Sequence, residues 1–172
     1  SFVNAWSPFV LLRHGSEDLR ARQRLAFAYY SCLLLMASAG LSLFAAEVFA
    51  ILVGKDFRAA FKYVPPLALA YSLFNFANAF SQGIQAKQRM THYAWIGAAV
   101  AVLFMVLCLL LVERFGAYGL TVAMGAAFLT QLVLLQSASE RLLPVGYPWA
   151  RHALMWGTAA IAVAALYDLG IG

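Results

Sequence analysis

The chain alternates between long apolar stretches and short segments that hold most of its charged residues. A helix needs about 20 mostly apolar residues to cross the roughly 30 Å hydrocarbon core of a bilayer. Stretches of that length, free of lysine, arginine and glutamate, occur at 25–46, 63–82, 93–112, 117–136 and 153–172. The pattern predicts an all-α, polytopic membrane helix bundle over 1–172 with five complete spans. Ser1–Leu12 is apolar but shorter, and we expect it to be the end of a sixth span in a longer protein.

The segments between these stretches predict short connections near the membrane surface. Glu47–Lys62 contains a brief apolar run followed by Gly54, a common helix stop, and is predicted to be a short interfacial helix and turn. Pro65 and Pro66 fall in the first turns of the second span, where a missing backbone donor is tolerated. Residues 113–116 predict a tight turn into a helix with small residues suited to close packing, namely Gly119, Ala123, Gly125, Ala126 and Ala127.

Composition and charge placement agree with a membrane protein. Hydrophobic residues form 64% of the chain and charged residues 11%, against about 45–50% and 25% in soluble domains. The net charge of +5 resides in the connecting segments, where lysine and arginine determine membrane topology. More of the basic residues lie in 13–24, 83–92 and 137–152 than in the alternate segments. These three segments are therefore predicted to be cytoplasmic, and nucleic-acid binding is not expected.

The sequence offers no constellation for catalysis, a cofactor or a metal. It lacks paired carboxylates within a span, a His/Cys cluster at ligand spacing and a nucleophile elbow, so we expect neither an enzyme nor a metal site. The histidines His14, His92 and His152 are interpreted as residues of loops or of the headgroup region. Trp149 and Trp156 are assigned to the aromatic belt that membrane proteins have at the headgroup level. Cys32 and Cys108 fall inside predicted spans and carry no metal or disulfide signal.

A polar stripe in the second span is the main candidate for function. Tyr71, Asn75, Asn78 and Gln82 are spaced by four, three and four residues, so they share one helix face. Amides are costly against lipid and should face protein or water. One interpretation is the polar wall of a substrate cavity. The other is hydrogen bonding between helices, in which each side chain contributes only about 0.6–2 kcal/mol.

A second, smaller candidate lies at the start of the chain. Asn4 and Trp6 precede Pro8 in the incomplete first span. Proline in a membrane helix frees a backbone carbonyl, which is usually placed beside a cavity or a partner helix. Asn4 and Trp6 are therefore added to the cavity candidates.

The order of several motifs resembles a known family of exporters. AWSPF is followed by a basic segment, then by EVFAILVGKDFRAAFKYVPPLALAYSLF, and later by ERFGAYGLTVAMGAA. This order is similar to the polysaccharide-exporter branch of the multidrug/oligosaccharidyl-lipid/polysaccharide exporter superfamily. The resemblance covers residues 1–145, and the pieces that carry it are Glu47, Gly54, Phe57, Ala60, Val64, Pro65, Gly116 and Gly119.

The resemblance implies a fold of two pseudo-symmetric lobes around a central cavity, with this chain in the C-terminal lobe. It implies a flippase that moves lipid-linked oligosaccharide (an O-antigen, capsule or exopolysaccharide repeat unit) across the bacterial inner membrane by alternating access. Its partners would be membrane lipids, the missing N-terminal lobe of the same chain, a polysaccharide polymerase and glycosyltransferases. The stripe and the AWSPF helix would line the cavity. Arg24 and Lys62, at the rims, would be the basic residues available to a pyrophosphate or an acidic sugar.

Two other functions stay open at this point. A cation-coupled multidrug exporter of the same superfamily would be expected to place an acidic residue in the cavity, and these spans offer none apart from Asp168 near the end of the last. A non-transporting membrane scaffold of a polysaccharide synthesis complex would lack the complementary N-terminal lobe. A membrane glycosyltransferase would need acidic residues or histidines gathered at a loop mouth, and those present are few and scattered.

Overall fold

The described residues of the computed structural model, which are 17–52, 60–81, 84, 90–142, 146 and 149–168, contain helices and no strand. The helices are α1 (Glu17–Leu43), α2 (Ala45–Leu52), α3 (Val64–Ala79), α4 (Met90–Phe115), α5 (Ala117–Leu142) and α6 (Trp149–Asp168). The prediction of an all-α fold is confirmed for this part of the chain.

Three of these helices are long and apolar enough to cross a membrane: Ala21–Leu43 within α1, and the whole of α4 and α5. They coincide with the predicted spans 25–46, 93–112 and 117–136. The predicted spans 63–82 and 153–172 correspond to α3, with 16 residues, and α6, with 20 residues, and neither is among the span-length helices. At a rise of about 1.5 Å per residue, α3 is about 24 Å long, which is less than the thickness of the hydrocarbon core.

Helix ends differ from the predicted boundaries because charged residues continue the helices. α1 begins at Glu17, so much of the basic segment 13–24 is helical, with Arg22 and Arg24 exposed. α5 extends to Leu142, well into the predicted cytoplasmic segment 137–152. α2 covers Ala45–Leu52, so a helix is confirmed for the first part of the predicted segment Glu47–Lys62, and its interfacial position stays a prediction. Residues 53–59, with the predicted helix stop, lie outside the described residues.

Contacts along the helices give their relative directions. Ser38 contacts Ser72 and Phe27 contacts Phe80, so α1 and α3 are antiparallel. Near the start of α3 the ring of Tyr63 meets Tyr118 of α5, and near its end Asn78 meets Gln131, so α3 and α5 are parallel. α4 and α5 are antiparallel, because Gly119 near the start of α5 lies against Leu111 near the end of α4.

Two glycines make the α4–α5 hairpin possible. Gly116 has a φ of 55° and donates its N–H to Val112 O at 2.9 Å, as expected for a glycine that ends a helix. Gly119 is buried, and a Cβ there would overlap the carbonyl of Leu111 and lie 2.9 Å from Val112 N. The predicted tight turn at 113–116 is confirmed only at Gly116, because residues 113–115 are the end of α4. Of the predicted small packing residues, Ala123 and Ala127 are also buried, whereas Gly125 faces open space, so the prediction was wrong there.

The core lies where α1, α3, α5 and α6 meet. Phe76 of α3 is fully buried, with its ring centroid 5.3 Å from that of Phe80 and 6.3 Å from that of Phe27. Leu135 of α5 and Trp156 of α6 complete the cluster. α4 takes little part in this core, because only Val100 is buried among its residues. The exposed, apolar surface of α4 is the kind of surface that faces lipid or another part of a bundle.

Candidate functional site

A hydrogen-bonded junction joins α3, α4 and α5 near one end of the bundle. The side-chain oxygen Oδ1 of Asn78 accepts from the Tyr93 hydroxyl and from Gln131 Nε2, each at 3.1 Å. Gln131 is buried and Asn78 is half-buried. A carbonyl oxygen has two lone pairs, so the two donors satisfy it fully. Asn78 thus fixes the relative positions of three helices.

The rest of the predicted stripe has a different environment. Asn75 is exposed, and its amide donates to the backbone oxygen of Tyr71 at 2.8 Å, one turn earlier in the same helix. Tyr71 is exposed, with its ring 6.1 Å from that of Phe128 on α5. The stripe therefore runs along an open surface at Tyr71 and Asn75 and enters the protein only at Asn78. Gln82, Asn4 and Trp6 lie outside the described residues.

A groove of about 660 Å³ lies beside the stripe, between α3 and α4. Its volume falls within the range of about 300–1,000 Å³ typical of ligand pockets. Its walls are mostly apolar and aromatic, and Tyr93 and Gln131 line the end next to the junction. The lining residues are Tyr71, Phe74, Tyr93, Ala94, Ile96, Gly97, Val100, Ala101, Phe104, Leu120, Met124, Ala127, Phe128, Gln131 and Leu135.

Small residues and helix arrangement create this groove. α3 and α4 each pack extensively along α5 but have little contact with each other. On the α4 side the lining includes Ala94, Gly97 and Ala101, and a Cβ added at Gly97 would meet no atom within 4 Å. Aromatic rings of α3 and α5 form the facing walls, with the centroids of Phe74 and Phe128 4.8 Å apart. The result is an apolar space with hydrogen-bonding side chains at one end.

The two predicted basic rim residues lie at opposite ends of the bundle. Lys62 precedes α3, and its Nζ lies 5.2 Å from the ring centroid of Tyr63 and 5.9 Å from that of Tyr118. Such cation–π contacts contribute about 0.5–1 kcal/mol at exposed sites. Arg24 is exposed near the start of α1, one turn before Phe27. Because α1 and α3 are antiparallel, Arg24 and Lys62 cannot hold one phosphate group together.

A serine contact between α1 and α3 was not predicted from the sequence. The Oγ atoms of Ser38 and Ser72 are 2.6 Å apart, and Ser38 Oγ also donates to Leu34 O at 2.9 Å. Small hydroxyl residues allow membrane helices to approach closely while hydrogen bonding across the interface. The available signal was the spacing of Ser31, Ser38 and Ser42, which places serines on related faces of α1.

His152 and Trp156 are buried side chains of α6, so the interpretation of His152 as a loop residue was wrong, while the placement of both at the headgroup level stays a prediction. His152 is 5% exposed and Trp156 8% exposed, with ring centroids 5.1 Å and 5.6 Å from that of Phe76. The physical reason is that α6 begins at Trp149, earlier than predicted, which places His152 in the first helical turn beside the core. Burial lowers the pKa of His152 below its ordinary value. Trp149 is the first residue of α6, and its side chain lies outside the described part.

The polar atoms of the His152 and Trp156 side chains have no hydrogen-bond partner, namely both imidazole nitrogens and the indole nitrogen. Ser31 Oγ and Gln136 Nε2 are also buried without a partner. A buried polar group without a partner costs about 1–3 kcal/mol. The contact between α6 and the core therefore depends on aromatic packing rather than on side-chain hydrogen bonds.

The described residues contain no group of three histidine, cysteine, aspartate or glutamate side chains that could hold a metal ion. Cys32 and Cys108 are free thiols on α1 and α4. Comparisons with protein families, curated proteins and solved structures gave no match to the chain.

Proposed function

We propose that the chain is part of a membrane transporter, the C-terminal lobe of a flippase that moves lipid-linked oligosaccharide across the bacterial inner membrane. The observation that carries the proposal is the groove between α3 and α4, which is apolar along most of its length and hydrogen-bonding at one end. A lipid-linked sugar has the same division between a hydrocarbon chain and a polar head. The sequence resemblance to polysaccharide exporters supports the same substrate class.

The junction supplies a means of alternating access. α3 and α4 have little contact apart from the bond between Asn78 and Tyr93, and a hydrogen bond of this kind contributes about 0.6–2 kcal/mol. Breaking it would free the Tyr93 end of α4 to move away from α3 and would widen the groove at its polar end. The Tyr93 hydroxyl released from Asn78 would then be available to the oxygens of a sugar.

The helix directions support a bundle of successive spans. α1 and α3 are antiparallel, α3 and α5 are parallel, and α4 runs opposite to α5, as expected if α1, α3, α4 and α5 cross the membrane in turn. Under this proposal α3 and α6 complete the predicted set of five spans with the help of flanking residues. The basic residues Arg24, Arg141 and Arg151 then mark the cytoplasmic side.

A multidrug exporter of the same superfamily is the second candidate, since an apolar groove of this volume also suits a drug-sized molecule. In α4 and α5 the acidic residues are Glu113 and Glu140, which lie in or near the last helical turn. The described parts of the span-length helices therefore offer no mid-membrane carboxylate for cation coupling. This difference favours the flippase.

A pair of phenylalanine substitutions on α4 tests the proposal in the full-length protein. Gly97→Phe would fill the groove, whereas Ala98→Phe places the same ring at an exposed position that does not line it. In proteoliposomes carrying lipid-linked oligosaccharide, the measured quantity is the rate at which the sugar becomes accessible to an impermeant lectin. We expect Gly97→Phe to lower this rate by about tenfold or more, equivalent to about 1.4 kcal/mol. Ala98→Phe should retain it.

Equal rates in the two variants, with equal helical content, would refute the role of the groove. A wild-type protein that leaves the oligosaccharide in place but expels an apolar dye, with Gly97→Phe blocking the dye, would identify the multidrug exporter instead. Movement of neither substrate would leave the membrane scaffold as the better account.

A further inference from the structure

We propose that His152 is a proton-binding site at the contact between α6 and the core, and that proton uptake there releases α6 from Phe76. This inference does not rest on the proposed function, because it concerns the side of α3 that faces away from the groove. It starts from the position of His152, which is 5% exposed with its ring 5.1 Å from Phe76.

The docked position of α6 leaves polar atoms without partners. The two imidazole nitrogens of His152 and the indole N–H of Trp156 have no hydrogen-bond partner. The two side chains occupy successive turns of α6, and both contact Phe76. When α6 moves away from the core, these atoms can hydrogen bond to water or to lipid headgroups. Release therefore restores hydrogen bonds that docking denies, and it breaks no side-chain hydrogen bond of these two residues.

Among the described long helices, α6 also has the least contact with the rest of the bundle. It has few contacts with α3 and α1, compared with those that α3 and α4 make with α5. Much of its remaining surface is exposed, as at Leu154 and Ile161. A modest change in the free energy of this contact is therefore enough to shift α6 between docked and released positions.

A positive charge on His152 is disfavoured while α6 is docked. His152 lies in the first turn of α6, where the positive end of the helix dipole opposes a cation. Burial acts in the same direction and lowers the pKa of His152. Facing it on α3 is the uncharged ring of Phe76, which can attract a cation only weakly through its π face.

The ionisable groups around this contact do not reverse that preference. The core face of α1 contributes the tyrosine Tyr30, which packs against the same cluster. The other described ionisable side chains on the helices that meet here are the exposed Arg22, Arg24, Tyr29, Cys32, Tyr71, Tyr118, Arg141 and Arg151 and the half-buried Glu140. The cations raise the cost of a further positive charge, and Glu140 at the end of α5 is the one carboxylate among them. Proton uptake thus favours the released position of α6.

The experiment measures the proton at His152 directly in the full-length protein in lipid nanodiscs. The variant His14→Gln/His92→Gln keeps His152 as the histidine of this chain, and ¹⁵N-histidine NMR follows its titration. The matched control, His14→Gln/His152→Gln, keeps the exposed His92 instead. The indole N–H signals of Trp156 and of the exposed Trp95 on α4, assigned by substitution to phenylalanine, report release of α6 and any general change.

We expect His152 to titrate below the ordinary histidine pKa of about 6.5, because burial lowers its pKa. The Trp156 signal should change over the same pH range, while the Trp95 signal and the helical circular dichroism stay constant. Titration of His152 at the ordinary histidine pKa would overturn the proposal, because it would show an imidazole that is open to water. The proposal would also be overturned if His152 took up no proton at any pH at which the protein keeps its helical circular dichroism. The contact between α6 and the core would then exclude protons. Titration without a change at Trp156 would refute release of α6.

Discussion

The two sides of α3 hold their neighbours by different forces. Asn78 faces α4 and α5 and accepts two hydrogen bonds at 3.1 Å. Phe76 lies two positions earlier, about 200° away around the helix, and contacts the rings of Phe80, His152 and Trp156. One side is joined by directional bonds whose donors and acceptor all have partners. The other side is joined by aromatic packing, and polar atoms in it have none.

The difference concerns specificity as much as strength. Hydrogen bonds at Asn78 require one register between three helices, and a shift of one position breaks both of them. Aromatic contacts tolerate a range of ring angles, as shown by the interplanar angles of 34° and 88° that Phe76 makes with Trp156 and Phe80. We therefore expect the α3–α4–α5 side to define a unique arrangement and the α6 side to permit movement.

The largest expected effect is at the aromatic side. Phe76→Ala removes the ring at the centre of the core and should lower the free energy of unfolding in mixed micelles by about 3–5 kcal/mol. The control Phe115→Ala removes a ring that is 61% exposed, and its effect should stay within about 0.5 kcal/mol. Similar losses in the two variants would show that Phe76 does not organise the core.

The next effect tests the close approach on which the hydrogen-bonded side depends. Gly119→Ala places a methyl group against the backbone of Leu111 and Val112. Overpacking of this kind costs about 1–3 kcal/mol, measured by unfolding in the same micelles. Gly125→Ala, in the same helix but in open space, should be neutral or stabilising by up to about 1 kcal/mol. If the two substitutions have equal effects, α4 and α5 are not in backbone contact at Gly119.

A smaller effect separates the members of the polar stripe. Asn78→Leu leaves the Tyr93 hydroxyl and the Gln131 amide without their acceptor and should cost about 1–2 kcal/mol of unfolding free energy. Asn75→Leu loses only a bond within its own helix and should be near neutral. A double-mutant cycle with Tyr93→Phe should give a coupling of about 0.6–1.7 kcal/mol. Zero coupling would remove Tyr93 from the junction.

The smallest effect is the pH dependence of the aromatic side. The unfolded chain takes up a proton at the ordinary histidine pKa of about 6.5, whereas burial lowers the pKa of His152 in the folded state. The unfolded state then binds more protons, so the free energy of unfolding falls as the pH drops below that value. His152→Phe should remove this component and His92→Gln should not. An unchanged slope in His152→Phe would assign the dependence to other groups.

The sequence predicted the helices better than their contacts. Long apolar stretches identified the all-α fold, and the helical spacing of Tyr71, Asn75 and Asn78 correctly placed them on one face. Periodicity could not show that, of these three residues, Asn78 would hydrogen bond to two other helices while Asn75 would bond within its own. Its partner Gln131 is 53 positions away, and their proximity follows from the parallel packing of α3 on α5. Only the tertiary arrangement contains that information.

The buried histidine shows what local composition does not predict. His152 stands beside Arg151 in a segment that contains charged residues and prolines, which is typical of a loop at the membrane surface. The structure starts α6 at Trp149, and one helical turn is enough to direct Arg151 outward and His152 inward. A surface loop and the first turn of a helix can have the same composition. Whether His152 is exposed or buried therefore depends on the residue at which α6 begins.

The hairpin of α4 and α5 has a consequence for biosynthesis. Gly116 alone separates two span-length helices, and their backbones touch at Gly119. A nascent chain with so short a turn has no room to insert the first helix, pause and thread the second independently. If α4 and α5 cross the bilayer as proposed, they should enter it as one unit, and the charged pair Glu113 and Arg114 at the end of α4 should move with them.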